Sequence, residues 1–169
     1  MNVLEAFQPI KLFILDVDGV LTDGQVYLME DESVVRRMNI KDGWALQWAV
    51  KKGYQFGVIS GAKSSSVRVR MERLGISNVH LGVEDKEPVI EAMMAEYGLQ
   101  KEEVLYMGDD VPDLPCLKVV GLACCPSDAV PEVKALAHYI SPFAGGQCCV
   151  RDVIEKVLRM NGDWPVTEG

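Results

Sequence analysis

The sequence is poor in the residues that build zinc sites. It has two histidines and five cysteines, and no two cysteines are spaced as CxxC. Structural zinc sites combine four such ligands at short, regular spacings. We therefore expect no zinc site, and we expect the cysteines to be small buried thiols in a reducing compartment.

The chain also lacks any concentration of positive charge. Its formal net charge is −8, and no cluster of lysines and arginines is longer than a pair. A protein that binds the phosphate backbone of nucleic acid needs the opposite sign. We therefore expect no nucleic-acid partner.

Long apolar runs are missing as well. No stretch approaches the length that spans a bilayer, and the first residues include the acid Glu5 and no basic leader. A secretion signal begins with positive charge. We expect no membrane association and a cytoplasmic location.

What remains is typical of one folded domain. The 169 residues are 49% hydrophobic and 25% charged, which suits a single domain over residues 1–169. Apolar runs bounded by turn residues predict buried strands at Ile10–Leu15, Gln55–Ser60, Val104–Gly108 and Val119–Cys124, with weaker ones near Val79–Leu81 and His138–Ile140. Helical patterns separate them, at Asp42–Lys52, Ser64–Leu74, Glu87–Tyr97, Val130–Ala137 and Cys149–Met160. This alternation predicts an α/β fold, a Rossmann-like parallel sheet with helices on both faces.

Two segments depart from the alternation. Gln25–Met29 and Val34–Ile40 are rich in β-forming residues and flank a polar stretch, so they predict a β-hairpin over about residues 25–40. It would be a small insertion in place of a cap domain. The tail, residues 161–169, has no periodicity, and we expect it to be mobile until something orders it.

Acidic residues follow two of the predicted strands. Asp16 and Asp18 come after the first strand, and Asp109, Asp110 and Asp113 follow Val104–Gly108. Parallel α/β sheets place ligands at the carboxyl ends of their strands, so these acids should share one cleft. Carboxylates that close together repel one another unless a cation lies between them. A hard, oxygen-preferring ion such as Mg²⁺ fits this need.

Groups that can hold a phosphoryl group follow two other strands. Ser60 and Gly61 offer a hydroxyl and an unhindered backbone amide at the start of a helix, and Lys86 adds a positive charge. Acids, a metal and phosphate-binding donors are the parts that phosphoryl transfer requires.

Four motifs stand in a fixed order along the whole chain: DVDGV at Asp16–Val20, Ser60-Gly61, Lys86, and GDDVPD at Gly108–Asp113. In order and spacing they resemble the motifs of the haloacid dehalogenase superfamily of phosphatases. DVDGVLTDG, NIKDG at Asn39–Gly43 and AGGQCCVRD near the end further resemble its phosphatases of 3-deoxy-D-manno-octulosonate 8-phosphate. The resemblance implies a phosphoric monoester hydrolase that acts on a 2-keto-3-deoxy sugar-acid phosphate in lipopolysaccharide biosynthesis.

The resemblance also implies roles for the site residues. Asp16 would be the nucleophile that forms an aspartyl-phosphate, and Asp18 would be the general acid and base. Asp16, the backbone carbonyl of Asp18, and Asp109 would hold Mg²⁺. The transferring phosphoryl group would be bound by Ser60 and Lys86, and neighbouring groups would be oriented by Asp110 and Asp113.

Substrate contacts are implied at a second set of positions: Asn39, Lys41, Asp42, Gly43, Gly61 and Arg70. A guanidinium such as that of Arg70 suits the carboxylate of a sugar acid. The chain departs from the family at Ala62, where arginine is common, and at Gln147 and Cys148 in the glycine-rich loop. A relative that hydrolyses a nine-carbon 2-keto-3-deoxy-nononate 9-phosphate resembles the chain almost equally well, so that substrate is the alternative.

The short hairpin cannot close a site by itself. Because its apolar residues would otherwise be exposed, and because relatives with this minimal cap form tetramers, we expect a homotetramer with shared active sites. Two functions of other classes stay open: a phosphorylation-controlled receiver domain and a non-catalytic assembly domain. The paired acids after the first strand disfavour both.

Overall fold

The computed structural model describes residues 2–166 of the chain. Six parallel strands form one sheet in the order β5-β4-β1-β6-β7-β8, and β2 pairs with β3 in a separate antiparallel hairpin. The strands are β1 Leu12–Leu15, β2 Tyr27–Leu28, β3 Val34–Val35, β4 Gln55–Ile59, β5 Val79–His80, β6 Val104–Met107, β7 Leu122–Cys125 and β8 Tyr139–Ile140. The predicted parallel α/β architecture with a small hairpin is confirmed.

Helices cover both faces of the sheet. They are α1 Ile40–Lys51, α2 Ser65–Arg73, α3 Glu87–Tyr97, α4 Leu114–Val119, α5 Pro131–Leu136 and α6 Cys149–Met160. Side chains of a strand point alternately to its two faces. Phe13 and Leu15 of β1 accordingly pack in one apolar cluster with α1, α2 and α6, whereas Leu12 and Ile14 pack in another with α3, α4 and α5.

The central strand β1 positions the site. Leu15 pairs with Val58 of β4 on one side and with Met107 of β6 on the other. All three strands are parallel, so their carboxyl ends meet at one edge of the sheet. The residues that follow them, beginning with Asp16, Ser60 and Asp109, therefore converge there.

The hairpin is shorter than its predicted range. Only Tyr27 with Val35 and Leu28 with Val34 form strand pairs, and all four side chains are exposed. An isolated bridge between Thr22 and Met38 ties its base to the loop after β1. The hairpin is therefore anchored at its base.

Outside the hairpin, the structure adds one α-helix and shifts several predicted bounds by up to three residues. Helix α4 was not expected, because it is only six residues long, with Pro115 in its first turn, and has no apolar periodicity. Its last residue is Val119, so β7 begins three residues later than predicted. Helix α1 begins at Ile40 rather than at Asp42, because the Asn39 side chain accepts a hydrogen bond from Lys41 N at 2.8 Å and caps the helix.

The prediction of a mobile tail is wrong for its first residues. Trp48 Nε1 donates to Asp163 O at 2.9 Å, Tyr54 donates to Asp163 Oδ2 at 2.8 Å, and Trp164 is 8% exposed. The burial of Trp164 against the α1 side of the sheet offsets the entropy of ordering this segment. Residues 167–169 of the predicted tail lie outside the described residues.

Two composition-based expectations can be compared with the fold. All five cysteines are free, four of them are buried, and Cys148 is partly exposed. In residues 2–166, none of the helices has the length and apolar character needed to cross a bilayer.

Candidate active site

Asp16 lies at the end of β1 in a buried position. Its side chain accepts a hydrogen bond from Val17 N at 2.7 Å, and the residue is 8% exposed. The loop then turns at Gly19, whose φ is +84°. A β-carbon there would lie 1.8 Å from Asp109 Oδ2. Glycine at this position thus permits both the turn and the approach of the Asp109 carboxylate to the loop after β1.

Asp113 organises the end of β6. Its Oδ1 accepts hydrogen bonds from Lys86 Nζ at 2.9 Å and from the Tyr106 hydroxyl at 2.5 Å. Its Oδ2 accepts from Asp109 N at 2.9 Å and Asp110 N at 3.2 Å. The side chain is fully buried. Four donors therefore fix this carboxylate, which in turn fixes Lys86 and the backbone that carries Asp109.

Lys86 is a buried cation between two acids. It is 6% exposed, and its Nζ lies 3.2 Å from Asp16 Oδ1 and 2.9 Å from Asp113 Oδ1. A buried lysine charge is tolerated when it is paired in this way. One positive charge is thereby fixed next to the Asp16 carboxylate.

Negative charge still exceeds positive charge in the cluster. Burial and the neighbouring Asp113 carboxylate raise the pKa of Asp16 to about 8, although Lys86 acts in the opposite direction. Burial, Asp113 and Asp110 raise the pKa of Asp109 to about 7. Without a cation, both carboxylates therefore hold protons more tightly than in the unfolded chain.

These acids fit a divalent metal. Carboxylate oxygens of Asp16, Asp109 and Asp113 lie within 4.8 Å of one another. Oxygen donors and excess negative charge are what Mg²⁺ requires. Because Asp113 already accepts four hydrogen bonds, Asp16 and Asp109 are the carboxylates with capacity left for an ion.

A cavity of about 510 Å³ opens over the cluster. Ser60 and Gly61 line it on the β4 side, together with Ala62, Lys86 and the acids. Ser60 Oγ accepts a hydrogen bond from Ala62 N at 3.1 Å, which orients the hydroxyl at the start of the next loop. The cavity thus combines a buried carboxylate, a lysine and hydroxyl and amide donors.

The chain is similar to known hydrolases over nearly its whole length. A model of the haloacid dehalogenase-like hydrolase family matches residues 79–145. The 3-deoxy-D-manno-octulosonate 8-phosphate phosphatase of Escherichia coli K12 is 32% identical over 168 residues, which are 99% of this chain and 89% of that protein. The chain belongs to the haloacid dehalogenase-like hydrolases.

Two solved structures place it among the phosphatases of this family. One is the 3-deoxy-D-manno-octulosonate 8-phosphate phosphatase of Moraxella catarrhalis with magnesium, phosphate and the sugar acid, at 30% identity and a TM-score of 0.90 over 94% of this chain and 91% of that one. The cobalt-bound form of the Haemophilus influenzae phosphatase has 31% identity and a TM-score of 0.88 over 93% and 92%. The chain is therefore a phosphoric monoester hydrolase, as its motifs predicted.

Arg36 contacts Asp18 and was not among the residues that the sequence predicted for the candidate site. Its Nε donates to Asp18 Oδ1 at 2.7 Å and its Nη2 to Asp18 Oδ2 at 3.3 Å. Arg36 follows β3 of the hairpin, 18 positions along the chain from Asp18. The sequence shows only the Arg36-Arg37 pair at this place. Such a pair is typical of a solvated strand end, so it does not predict a contact with Asp18.

The loop that was predicted to contact substrate makes contacts within the chain. Asp42 is 1% exposed, and its Oδ1 accepts a hydrogen bond from Arg151 N at 2.8 Å. Burial raises the pKa of Asp42 to about 6. This position speaks against direct contact between Asp42 and substrate: the side chain holds the start of α6 instead. Asn39 likewise donates to Gly146 O at 3.1 Å. Within residues 2–166, the lining of the cavity over the acid cluster does not include Asn39, Lys41, Asp42 or Gly43.

Arg70 lies in a second cavity, separate from the one over the acid cluster. It lines a cavity of about 300 Å³ together with Arg36, Met38, Ile40, Ser66 and Val67. A β-carbon on Gly43 would lie 2.6 Å from Arg70 Nη2, so Gly43 makes room for the guanidinium. Arg70 and Arg36 thus place two positive charges in one cavity.

The glycine-rich loop at Gly145 and Gly146 packs against the loop that follows β1. Gly146 N donates to Val20 O at 3.0 Å. A β-carbon on Gly145 would lie 2.0 Å from Gly19 O, so only glycine permits this contact. The loop therefore supports the turn after Asp16. Its next two residues, Gln147 and Cys148, are the ones that differ from the family pattern.

Proposed function

We propose that this phosphatase hydrolyses 3-deoxy-D-manno-octulosonate 8-phosphate in a Mg²⁺-dependent reaction that forms an aspartyl-phosphate at Asp16. The observation that carries the proposal is the buried Asp16 carboxylate, 3.2 Å from Lys86 and clustered with Asp109 and Asp113. The relatives from Escherichia coli and Moraxella catarrhalis carry this activity in their names. The reaction belongs to the assembly of lipopolysaccharide, in the cytoplasm.

Two displacements at phosphorus account for the reaction. A carboxylate oxygen of Asp16 attacks phosphorus, the bond between phosphorus and the sugar oxygen breaks, and that oxygen takes a proton from Asp18. Water then attacks the phosphorus of the aspartyl-phosphate and gives a proton to Asp18. Inorganic phosphate leaves and the Asp16 carboxylate is restored.

The neighbouring residues hold the phosphoryl group during these steps. Lys86 offsets the charge of the nucleophile, and Ser60 and the amide of Gly61 bind phosphoryl oxygens at the end of β4. Asp16, Asp109 and the backbone carbonyl of Asp18 would hold Mg²⁺, which would neutralise the charge that the phosphate brings into a cluster of acids. Asp113 keeps Lys86 in place throughout.

Arg70 is proposed to bind the carboxylate of the sugar acid. Guanidinium and carboxylate form paired hydrogen bonds, and the cavity that Arg70 shares with Arg36 supplies a positive field for an anionic substrate. The eight-carbon substrate is tested against the nine-carbon 9-phosphate and against a sugar phosphate without a carboxylate. We expect kcat/KM to be highest for the eight-carbon acid, by about tenfold or more.

Arg70→Gln provides the matched control for this screen. The substitution should raise KM for the acidic substrates and leave turnover of the sugar phosphate without a carboxylate nearly unchanged. Equal kcat/KM for acidic and neutral sugar phosphates in the native protein would contradict the proposed substrate class.

We further propose that the protein works as a homotetramer in which hairpins cover neighbouring active sites. Tyr27 is 63% exposed and Leu28 is 78% exposed on the hairpin surface. Exposed apolar residues on a short strand pair favour association with another subunit. Such pairing would shield the catalytic cavity from bulk water.

A further inference from the structure

We propose that Arg36 is a positioning residue that fixes the Asp18 carboxylate for proton transfer and couples it to the hairpin. The proposal rests on the proposed function, in which Asp18 protonates the leaving oxygen. It adds a role for the hairpin: besides covering the site, the hairpin carries the residue that orients the general acid and base.

The contact between the two side chains is a paired one. Arg36 Nε to Asp18 Oδ1 is 2.7 Å, and Arg36 Nη2 to Asp18 Oδ2 is 3.3 Å. Charge-assisted hydrogen bonds from a planar guanidinium restrict both the place and the rotation of a carboxylate. Among the described residues, the side-chain hydrogen bonds of Asp18 come from Arg36 alone. Arg36 is therefore the residue in a position to orient Asp18.

The bond at Oδ1 is the shorter of the two. Together the two contacts restrict the rotation of the carboxyl group. A carboxyl group without this bond would rotate, and only part of its orientations would be productive.

Burial separates Arg36 from its neighbour. The Arg36 side chain is 15% exposed, whereas that of Arg37 is 68% exposed. Arg37 pairs with Asp23 at 2.9 Å on the surface. Exposed ion pairs contribute little to stability. Arg37→Gln is therefore a matched control that removes an adjacent arginine and its ion pair from the same hairpin without touching Asp18.

The test compares leaving groups of different basicity. In single-turnover reactions with Mg²⁺, native protein, Arg36→Gln, Arg36→Lys and Arg37→Gln are given phenyl phosphate and 4-nitrophenyl phosphate. A poor leaving group needs the proton and a good one does not, and general acid catalysis is worth about 10²–10⁴ in rate. We expect Arg36→Gln to slow release of phenol at least about tenfold and release of 4-nitrophenol less than about threefold. Arg36→Lys should fall between, and Arg37→Gln should match native protein.

A double substitution checks that Arg36 acts through Asp18. Asp18→Asn alone should slow phenol release, and adding Arg36→Gln should cause no further slowing, because the group that Arg36 positions is already gone. Thermal melts of all variants verify that each is folded. If Arg36→Gln is unfolded, the Arg36→Lys variant tests the proposal, through the same comparison of phenol release with 4-nitrophenol release.

Other outcomes would overturn the proposal. Equal slowing of both esters in an Arg36 variant would indicate a general structural role. An effect confined to KM of sugar acids would make Arg36 a binding group for the substrate carboxylate, beside Arg70. Failure of the proposed function is distinguishable, because native protein would then not release phosphate from the sugar-acid phosphate, whatever the aryl esters show.

Discussion

Asp113→Asn should destabilise the protein by about 3 kcal/mol, although the two side chains have nearly the same shape. Oδ1 of Asp113 faces Lys86 Nζ and the Tyr106 hydroxyl, and Oδ2 faces two backbone N–H groups. All four partners are donors. In either orientation, the asparagine amide nitrogen would meet donors and leave them unpaired inside the protein.

The magnitude follows from two opposing effects. Breaking a buried ion pair costs about 3–5 kcal/mol, and each unsatisfied buried donor costs about 1–3 kcal/mol. Lys86 keeps Asp16 at 3.2 Å, and loss of the Asp113 charge relieves repulsion with Asp16 and Asp109, which lowers the net cost. The remaining loss of about 3 kcal/mol corresponds to a Tm decrease of about 6–12 °C for a domain of this size.

The assay is urea or thermal unfolding of native protein and variant at neutral pH. Asp110→Asn is the matched control, because Asp110 is exposed and its side chain accepts hydrogen bonds from the backbone N–H groups of Val111 and Asp113, which an asparagine oxygen can also accept. Its effect should stay within about 0.5 kcal/mol. A loss below about 1 kcal/mol in Asp113→Asn would refute the view that this carboxylate organises the site.

Three further outcomes are expected. EDTA should abolish phosphatase activity and Mg²⁺ should restore it, whereas Ca²⁺ should restore little because its coordination is looser; full activity after exhaustive chelation would contradict the metal requirement. The folded pKa values of Asp16 and Asp109, about 8 and about 7, exceed the unfolded value of 3.8. Metal-free protein should therefore lose stability as pH rises from about 4 to about 8. Mg²⁺ displaces those protons, so its Tm increase should be larger near pH 8 than near pH 6, and a pH-independent increase would count against these acids as ligands. Light scattering at micromolar concentration should give a tetramer, and replacing Leu28 by a charged residue should dissociate it; a fully active monomer would refute the shared site.

Local patterns were sufficient for the parts of the fold that depend on local chemistry. Helix α3 was predicted with its observed bounds, and Pro88 suits a first helical turn. In the structure Gly98, with φ of +64°, ends the helix. Helix α6 was predicted equally well from its strong apolar periodicity. The meeting of Asp16 and Asp109 followed from strand topology alone, since both follow parallel strands.

Long-range contacts account for what the sequence could not show. The docked tail depends on bonds from Trp48 and Tyr54 to Asp163, more than a hundred positions away, and no local pattern reports them. Asp42 was expected to contact substrate because the loop from Asn39 to Gly43 does so in the family that the sequence resembles. In the structure the start of α6 packs against Asp42, and Arg151 N donates a hydrogen bond to the Asp42 carboxylate.

The central claim is that Asp16 carries the phosphoryl group, and acid quenching tests it most directly. Native protein is mixed with the sugar-acid phosphate and Mg²⁺, quenched in acid within the first turnover, and digested for mass spectrometry. We predict one phosphoryl group on the peptide that contains Asp16, removable by hydroxylamine as expected for an acyl-phosphate. The Asp16→Asn protein should stay folded, lack this group and retain less than about 1% of activity. Phosphate release by the native enzyme without any phosphorylated Asp16 peptide, or substantial turnover by Asp16→Asn, would contradict the account.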